Sequence, residues 1–271
     1  MPPRAAASRL AHTGGMSLPR FVVDAPPPAA EGLLVALGDE QARHLGVLRL
    51  RPGAALELLL PGGAWRADLA ELSRHRAVAR LVAPLGESRE APIPILACVP
   101  VTAQLSLLDD LLPPVVELGA TQILPVVYAR SEFDARKTAA RMERWRRIVA
   151  SSCEQSHRGR VPELREPGPF EALLSVDAPQ KWVAYELAGG EANPPLGAEG
   201  LAITSGPEGG ITEAEFDALR AAGWRAVSLG PAILRAVTAP VALLGAVQFA
   251  LAGGLDGGSS RGEGGRPPVN P

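Results

Sequence analysis

The feature that most constrains this chain is a regular alternation of apolar runs and helical patterns between residues 95 and 254. The apolar runs have the length and composition of buried strands; they are ILACVPV, ILPVVYA, WVAYEL, LAIT and AVSL. Strands that alternate with helices are typical of βαβ units. We therefore predict an α/β domain over residues 92–254, built on a mostly parallel sheet with covered faces.

Three of the helical patterns differ in character. Residues 106–119 read as a helix that Pro113 and Pro114 interrupt, because proline lacks a backbone donor and clashes with the preceding turn. Residues 135–156 read as one long helix. Residues 239–254 are almost entirely apolar, which predicts either a fully buried core helix or a helix in a subunit interface.

The region before this domain has a different pattern. Across residues 17–86, short apolar or alternating runs are separated by Gly and Pro, and they predict the strands FVV, LLVAL, ALELLL, WRADLAEL and AVARLV. One helix is expected over residues 39–50, with Asp39 as its cap. The pattern favours a small β-barrel or sandwich, followed by a polar, proline-marked linker at residues 86–94.

Composition bounds the class of protein. With 46% hydrophobic residues among 271, the chain can bury a core, whereas residues 1–16 and 255–271 are expected to be a disordered leader and tail. Cys98 and Cys153 are too few for a disulfide scaffold or a metal site, which favours a reducing cytoplasm. The longest apolar stretch, residues 239–252, is shorter than the roughly 20 residues of a membrane span. No membrane and no metal are therefore expected as partners.

The stretch TSGPEGGITEAEF, residues 204–216, places a glycine-rich turn between an apolar run and a helix. It is neither a GxGxxG fingerprint nor a P-loop, because no Gly-Lys-Ser/Thr follows. Glu208 would repel a phosphate at the helix start, so a cofactor here would lack phosphate. Thr212 and Glu215 form a capping box. Taken alone, the loop favours a plain turn that needs glycine for positive φ.

A second turn follows the next apolar run. In SLGPAILRAVTAPVALLG, residues 228–245, the chain passes through Gly230 and Pro231 and re-enters a helix. Thr238 can cap this helix, and Pro240 suits its first turn. Ligands of open parallel sheets bind beside loops that leave the carboxyl ends of strands, so the two turns are predicted to form walls of one crevice.

These two segments carry a family resemblance. GPEGG followed by a helix, and then SLGPAILRAVTA, resemble the paired signatures of the RsmE-type methyltransferases of the SPOUT superfamily, which methylate N3 of a uridine in small-subunit ribosomal RNA. Further matches in the same order are PRFVVD, HLGVLRLRPG, VELGATQILPVVYARS and CEQSHRGRVPEL, over about residues 19–254. The resemblance implies a PUA-like β-barrel that binds RNA, a knotted α/β domain that binds S-adenosylmethionine, and a homodimer.

The resemblance also implies a set of site residues. Both turns would hold S-adenosylmethionine, whose ammonium and sulfonium tolerate a nearby carboxylate. The cofactor-binding residues would be Thr204, Ser205, Gly206, Glu208, Gly209 and Gly210 from the first turn, and Leu229, Gly230, Ile233, Leu234 and Thr238 from the second.

Arg235 is the candidate catalytic residue. When the imide proton leaves uridine N3, negative charge develops on the uracil oxygens, and an arginine beside the cofactor wall can stabilise that charge. The alternative is a structural arginine that bonds loop carbonyls.

The long helix and the segment after it are strongly basic, with eight cations between residues 136 and 160 opposed by Glu143 and Glu154. A buried stripe of Met142, Trp145 and Val149 would leave many arginines in solvent, either as a plain solvated face or as a phosphate-binding patch. With the resemblance, we predict an RNA-binding set of Arg43, Arg49, Arg130, Arg141, Arg144, Arg147, Arg158 and Arg160.

The chain also departs from the family pattern. In the second turn, Ala232, Ala236 and Val237 stand where the family usually has arginine, threonine and glutamate; Leu107 and Pro114 stand where lysines are common. The first hypothesis is an active RNA methyltransferase. The alternatives are a non-catalytic RNA-binding relative on the same scaffold, which these departures favour, and an α/β enzyme without an RNA partner.

Overall fold

The structure is a computed structural model that describes residues 18–23, 28–86, 89–185 and 193–254. The expected leader and tail lie outside these residues. The chain forms two compact units: Met1–Leu60 with Trp65–Pro84, and Pro61–Ala64 with Leu85–Pro271. Within the described ranges, no helix combines the length and apolar character that crossing a membrane requires.

The first unit is a five-stranded sheet with one helix. Its elements are β1 (Arg20–Val22), β2 (Leu34–Leu37), α1 (Asp39–Val47), β3 (Ala55–Leu60), β4 (Gly63–Leu72) and β5 (Ala77–Pro84). The strand order is β1-β3-β4-β5-β2. β1 pairs with β3 in parallel, and β5 pairs antiparallel with β2 and β4. All five predicted strands are confirmed, and a core that includes Phe21, Leu45 and Leu58 fills this unit.

The start of α1 corrects one prediction. Asp39 is the first helical residue rather than the cap, because Gly38 occupies the cap position and makes no side-chain hydrogen bond there. The Asp39 carboxylate instead accepts contacts from His75 Nδ1 at 2.6 Å and from Arg43 Nη2 at 2.9 Å. The His75 contact ties α1 to the turn between β4 and β5, and the Arg43 contact lies within α1.

The second unit is a seven-stranded parallel sheet. Its elements are β6 (Ile95–Pro100), α2 (Leu105–Glu117), β7 (Gln122–Val127), α3 (Ala135–Ser156), β8 (Glu163–Leu164), β9 (Gly168–Pro169), a 3-10 helix (Phe170–Leu173), β10 (Gln180–Ala184), β11 (Leu201–Ser205), α4 (Glu213–Ala221), β12 (Arg225–Val227) and α5 (Thr238–Leu251). The strand order is β12-β10-β11-β6-β7-β8, and β9 also pairs with β7. Each of these pairings is parallel, which confirms the predicted sheet type.

Two prolines lie inside α2, contrary to the prediction that they would interrupt it. The helix is continuous through Pro113 and Pro114. Leu112 and Val115, which flank the pair, are fully buried, and α2 packs along α3 and against α5. The burial of these neighbours holds the helix together where two backbone donors are missing.

The start of α5 corrects a second capping prediction. The helix begins at Thr238, and Val237 occupies the cap position without a side-chain hydrogen bond. The carbonyl of Arg235 accepts hydrogen bonds from the backbone N–H groups of Thr238 at 2.8 Å and of Ala239 at 3.0 Å. The Arg235 carbonyl, and not the Thr238 hydroxyl, therefore accepts hydrogen bonds from the N–H groups at the start of α5.

Within one chain, α5 is buried along one face. Pro240, Leu243, Leu244 and Val247 are buried, whereas Phe249 is 56% exposed. The prediction of a fully buried helix is wrong for the single chain, and the subunit interface stays a prediction. The knot also stays a prediction, although the path favours it: the connection from β11 through α4 to β12 crosses β10, and α5 then packs back on β10 and β11.

Candidate active site

The candidate site lies at the carboxyl edge of the parallel sheet. Because parallel strands all end at the same edge, the segments that follow β7, β11 and β12 meet there. We call residues 128–134 the β7 loop, residues 206–212 the glycine loop and residues 228–237 the second loop. β10 lies between β11 and β12 in the sheet, so the glycine loop and the second loop flank the end of β10.

The glycine loop requires its glycines. A Cβ on Gly206 would lie 2.8 Å from Cγ1 of Ile211 and 3.1 Å from its backbone nitrogen. A Cβ on Gly209 would lie 2.8 Å from Cβ of Arg130. Gly210 has a φ of 73°, in the left-handed region that other residues rarely adopt. The tight path of this loop therefore depends on all three residues.

A buried carboxylate anchors the helix that follows the loop. The predicted capping box is confirmed: Glu215 N donates to Thr212 Oγ1 at 3.2 Å, and Thr212 N donates to Glu215 Oε2 at 2.9 Å. The other carboxylate oxygen of Glu215 accepts from Ala129 N at 2.7 Å. Glu215 is 7% exposed, so one side chain joins the β7 loop to the start of α4 in a water-poor position.

A chain of hydrogen bonds lies directly beneath the glycine loop. The hydroxyl of Thr204 donates to the carbonyl of Cys98 at 3.0 Å, so the hydroxyl of Tyr128 donates to Thr204 Oγ1 at 2.7 Å. Burial raises the pKa of the Cys98 thiol to about 12 and raises that of the Tyr128 phenol well above its ordinary value. Both groups are therefore neutral at pH 7, and the Thr204 hydroxyl is already engaged inside the sheet.

Ser205, the last residue of β11, carries an unsatisfied group. It is 1% exposed, and its Oγ has no hydrogen-bond partner within the part of the chain that the structure describes. A buried hydroxyl without a partner destabilises a fold by about 1–3 kcal/mol. Ser205 therefore places an unsatisfied buried hydroxyl at the end of β11, directly before the glycine loop.

A shallow cleft, open to solvent, lies at the ends of β10 and β12. It is lined by Ala184, Tyr185, Val227, Leu229, Gly230, Ala232, Leu234 and Ala239. Three of the predicted cofactor residues, Leu229, Gly230 and Leu234, come together here. Sequence reasoning missed the contribution of β10, because the position of β10 between β11 and β12 is not visible in the order of the chain.

Tyr185 is the main side chain that the sequence reasoning missed. Its ring stacks on that of Phe216 from α4, with centroids 3.9 Å apart and planes at 15°. Its backbone N–H donates to the carbonyl of Val227 at 3.2 Å, which holds the end of β10 against β12. The signal in the sequence was the aromatic residue at the carboxyl end of the WVAYEL run.

Other predicted cofactor residues lie outside the lining of the cleft. Ile233 is 80% exposed, and Glu208 and Thr238 are also exposed. Arg235 is exposed as well, and its side chain makes no hydrogen bond or ion pair with any described residue. The guanidinium is therefore not committed to loop carbonyls, which was the alternative to a catalytic role.

Arg158 corrects the predicted RNA-binding set. It is 2% exposed; its guanidinium donates to the carbonyls of Val116, at 3.1 Å, and Ala120, and it forms an ion pair with Glu90. A side chain that is enclosed and bonded in this way cannot contact an RNA phosphate. The prediction for Arg158 is wrong because its partner, Glu90, lies in the linker, far away in the sequence.

The arginines of α3 differ in how far they are neutralised. Asp109 of α2 accepts from Arg141 Nη1 at 2.7 Å, from Arg144 Nε at 2.8 Å and from the indole N–H of Trp145 at 2.8 Å. Arg147 is exposed and forms no ion pair with any described residue. The charge of Asp109 therefore partly neutralises Arg141 and Arg144, whereas Arg147 presents its whole positive charge to solvent.

The remaining predicted RNA contacts are exposed. Arg160 follows α3, and Arg130 lies in the β7 loop, where its Nη1 donates to the carbonyl of Gly209 at 2.9 Å. Arg43 and Arg49 belong to the first unit, and Arg49 adopts a left-handed φ of 56°. Among the described residues, no group of three or more His, Cys, Asp or Glu side chains is arranged to hold a metal.

Comparisons with known proteins identify the family. The RNA methyltransferase domain profile matches residues 89–248, and the RNA methyltransferase PUA domain profile matches residues 37–82. The chain is 33% identical over 227 residues to ribosomal RNA small subunit methyltransferase E of Synechocystis sp., covering 80% of this chain and 73% of that protein. The chain belongs to the methyltransferase E family. The family resemblance read from the two turns is confirmed.

Other known proteins agree with this chain in sequence or in fold. The Bacillus subtilis protein is 30% identical, with 78% of this chain and 88% of that protein covered. The Neisseria gonorrhoeae enzyme, solved with bound S-adenosyl methionine, has a TM-score of 0.78 and 34% identity, over 86% of this chain and 98% of that one. A Legionella pneumophila putative methyltransferase in complex with the same cofactor has a TM-score of 0.76 and 26% identity, covering 86% of this chain and 98% of its own.

Proposed function

We propose that this protein transfers a methyl group from S-adenosylmethionine to N3 of a uridine in small-subunit ribosomal RNA. We further propose that it acts in the cytoplasm as a homodimer, with an RNA-binding domain at residues 17–86 and a catalytic domain at residues 92–254. The observation that carries the proposal is the cleft at the ends of β10 and β12, flanked by the glycine loop, in a chain of this family.

The residues at the carboxyl edge fit this cofactor. S-adenosylmethionine supplies an electrophilic methyl group on a sulfonium. Tyr185, Leu229 and Leu234 offer the cleft an apolar and aromatic lining, which suits an adenine ring. The unpartnered hydroxyl of Ser205 offers a hydrogen bond to a polar group. The exposed carboxylate of Glu208 favours a cationic ligand over a phosphate.

Arg235 has the properties of a group that stabilises charge on the substrate. Its side chain is exposed at the carboxyl edge, and no described residue neutralises it. An arginine stays protonated at any physiological pH, so it can donate to the uracil oxygens as the imide proton leaves. It lies in the second loop, three residues before the start of α5.

A non-catalytic RNA-binding relative is the second candidate. Ala232 lines the cleft and Val237 is half-buried at the start of α5, and both lack the charges that are usual in the family. Because the two absent charges have opposite signs, their joint loss leaves no unpaired charge in the loop. The loop can therefore fold in the same way with or without catalysis.

Calorimetric titration with S-adenosylmethionine, followed by mass mapping of small-subunit ribosomal RNA incubated with the protein, tests the proposal. We expect cofactor binding and the gain of one methyl group on a uridine. In Arg235→Met, cofactor binding should persist while methyl transfer falls by about 100-fold, as for the loss of one charge-stabilising donor. Arg225→Met, at the amino end of β12, is the matched control and should keep its activity.

The outcomes separate the two candidates. RNA binding without cofactor binding would favour the non-catalytic relative. Equal activity of the Arg235→Met variant and the wild-type protein would remove Arg235 from the chemistry and leave the methyltransferase proposal in place.

A further inference from the structure

Arg130 joins the β7 loop to the glycine loop. Its Nη1 donates to the carbonyl of Gly209 at 2.9 Å. The two residues also pack closely, because a Cβ on Gly209 would lie 2.8 Å from Cβ of Arg130 and 3.2 Å from its carbonyl oxygen. Both the Cβ and the guanidinium of Arg130 therefore lie against the glycine loop.

Among the described residues, three side-chain hydrogen bonds join the β7 loop to the end of β11, the glycine loop and the start of α4, and the one from Arg130 is exposed to solvent. The other two, from Ala129 N to Glu215 and from the Tyr128 hydroxyl to Thr204, end on buried side chains. Within the described residues, the guanidinium of Arg130 makes no hydrogen bond besides the one to Gly209. Since a guanidinium carries five N–H donors, its other edges are available to an anion.

The β7 loop runs directly into the basic helix. Asp134 ends the loop and caps α3, accepting from Arg136 N at 3.0 Å and from Lys137 N at 3.1 Å. Backbone hydrogen bonds from these two residues hold the pKa of Asp134 below its usual value, so the cap stays charged near neutral pH. An RNA strand on the exposed arginines of α3 would thus lie along the same segment as Arg130.

We propose that Arg130 is a positioning residue that couples RNA binding to cofactor binding. A phosphate bound to the free edges of the guanidinium fixes that side chain against the Gly209 carbonyl. The glycine loop is then held in the conformation that accepts S-adenosylmethionine. Coupling of this kind is reciprocal, so the cofactor strengthens RNA binding by the same factor. The inference rests on the proposed function of both sites.

The test compares Arg130→Met with Arg147→Met. The first variant keeps the aliphatic stem and removes the donors; the second removes an exposed α3 arginine that makes no contact with the glycine loop. For each protein, S-adenosylmethionine affinity is measured by calorimetry with and without a small-subunit ribosomal RNA fragment. Hydrogen exchange of the amides at residues 206–211 is measured in the protein alone.

We expect RNA to raise the cofactor affinity of the wild-type protein about fivefold, at the low end of typical couplings. In Arg130→Met, the ratio of cofactor affinity with RNA to cofactor affinity without RNA should fall to about one. The cofactor affinity without RNA should drop about fivefold, and hydrogen exchange in the glycine loop should accelerate. In Arg147→Met, RNA affinity should fall while the ratio and the loop exchange stay as in the wild type. Arg130→Gln provides a second variant if the methionine substitution prevents folding.

An Arg130→Met protein with wild-type cofactor affinity, coupling ratio and loop exchange would overturn the inference and leave the proposed function intact. A wild-type protein that binds RNA without binding S-adenosylmethionine would overturn both.

Discussion

The glycine loop and the second loop flank the same strand end but are held very differently. The glycine loop is fastened by Arg130, by the buried carboxylate of Glu215 and by the close packing around Gly206. In the second loop, Ile233 is 80% exposed, and the side chain of Arg235 makes no hydrogen bond or ion pair with a described residue. The difference indicates a preformed wall on one side of the site and an adaptable wall on the other.

The start of the second loop is its best anchored point. Ser228 exchanges two hydrogen bonds of 2.9 Å with the side chain of Asn193. Beyond it, the backbone passes through Gly230 at a φ of 112° before the Arg235 carbonyl receives the first N–H groups of α5. Of the departures from the family pattern in this loop, Ala232 falls between these anchors and is exposed, whereas Ala236 and Val237 follow the second anchor and are buried and half-buried. Packing therefore constrains the loop least around Ala232.

The largest expected effect concerns the buried thiol of Cys98, which belongs to the same apolar core as Ile211 of the glycine loop. Burial raises the pKa of the Cys98 thiol from 9.0 to about 12, so its thiolate population in the folded protein is about a thousandfold lower than in an exposed cysteine. The unfolded chain loses this proton near pH 9 and the folded chain near pH 12. The contribution of Cys98 to the free energy of unfolding should therefore fall by about 1.4 kcal/mol per pH unit within that window.

Denaturant titrations across this pH range check the prediction. Cys98→Ala should remove this part of the slope. Rapid alkylation of Cys98 in the native protein at pH 8 would show that the core behind the glycine loop opens easily. It would contradict the inferred difference between the glycine loop and the second loop.

A second prediction compares the packing of the two loops directly. Gly206→Ala should lower the free energy of unfolding by about 2 kcal/mol, because the new methyl group meets Ile211 at 2.8 Å. Ile233→Ala, in the second loop, should change it by less than about 0.5 kcal/mol, because the side chain is 80% exposed. Urea titrations with unchanged m-values measure both effects. Equal losses in the two variants would contradict the difference between the loops.

The smallest expected effect comes from restoring charges to the second loop. The double variant Ala232→Arg, Val237→Glu should change the free energy of unfolding by less than about 0.5 kcal/mol, because the loop has room to adapt. A double-mutant cycle should show that the glutamate is tolerated better when the arginine is present. A loss of about 2 kcal/mol or more in the double variant would mean that this wall is packed as tightly as its neighbour.

Local patterns in the sequence predicted a large part of the fold. The five strands of the first unit, the parallel sheet and the capping box of Thr212 and Glu215 all follow from spacing and residue type, and α3 has the predicted bounds of residues 135–156. These features depend on neighbours in the chain or on a periodic apolar face, which a sequence displays directly.

The features that the sequence did not reveal depend on distant partners. Arg158 is buried because Glu90 and the end of α2 lie beside it, and the prolines of α2 are tolerated because packing holds the helix. Tyr185 joins the site because β10 lies between β11 and β12. Strand order in a sheet is a property of the whole fold, so one sequence read locally cannot supply it.

The position of β10 also has a consequence for how the protein is made. Both neighbours of β10 in the sheet, β11 and β12, follow it in the chain. During synthesis from the amino terminus, β10 leaves the ribosome before either partner strand exists. The sheet around it can close only after residues 225–227 have emerged, so the edge that carries the cleft is among the last parts of the polypeptide to be assembled.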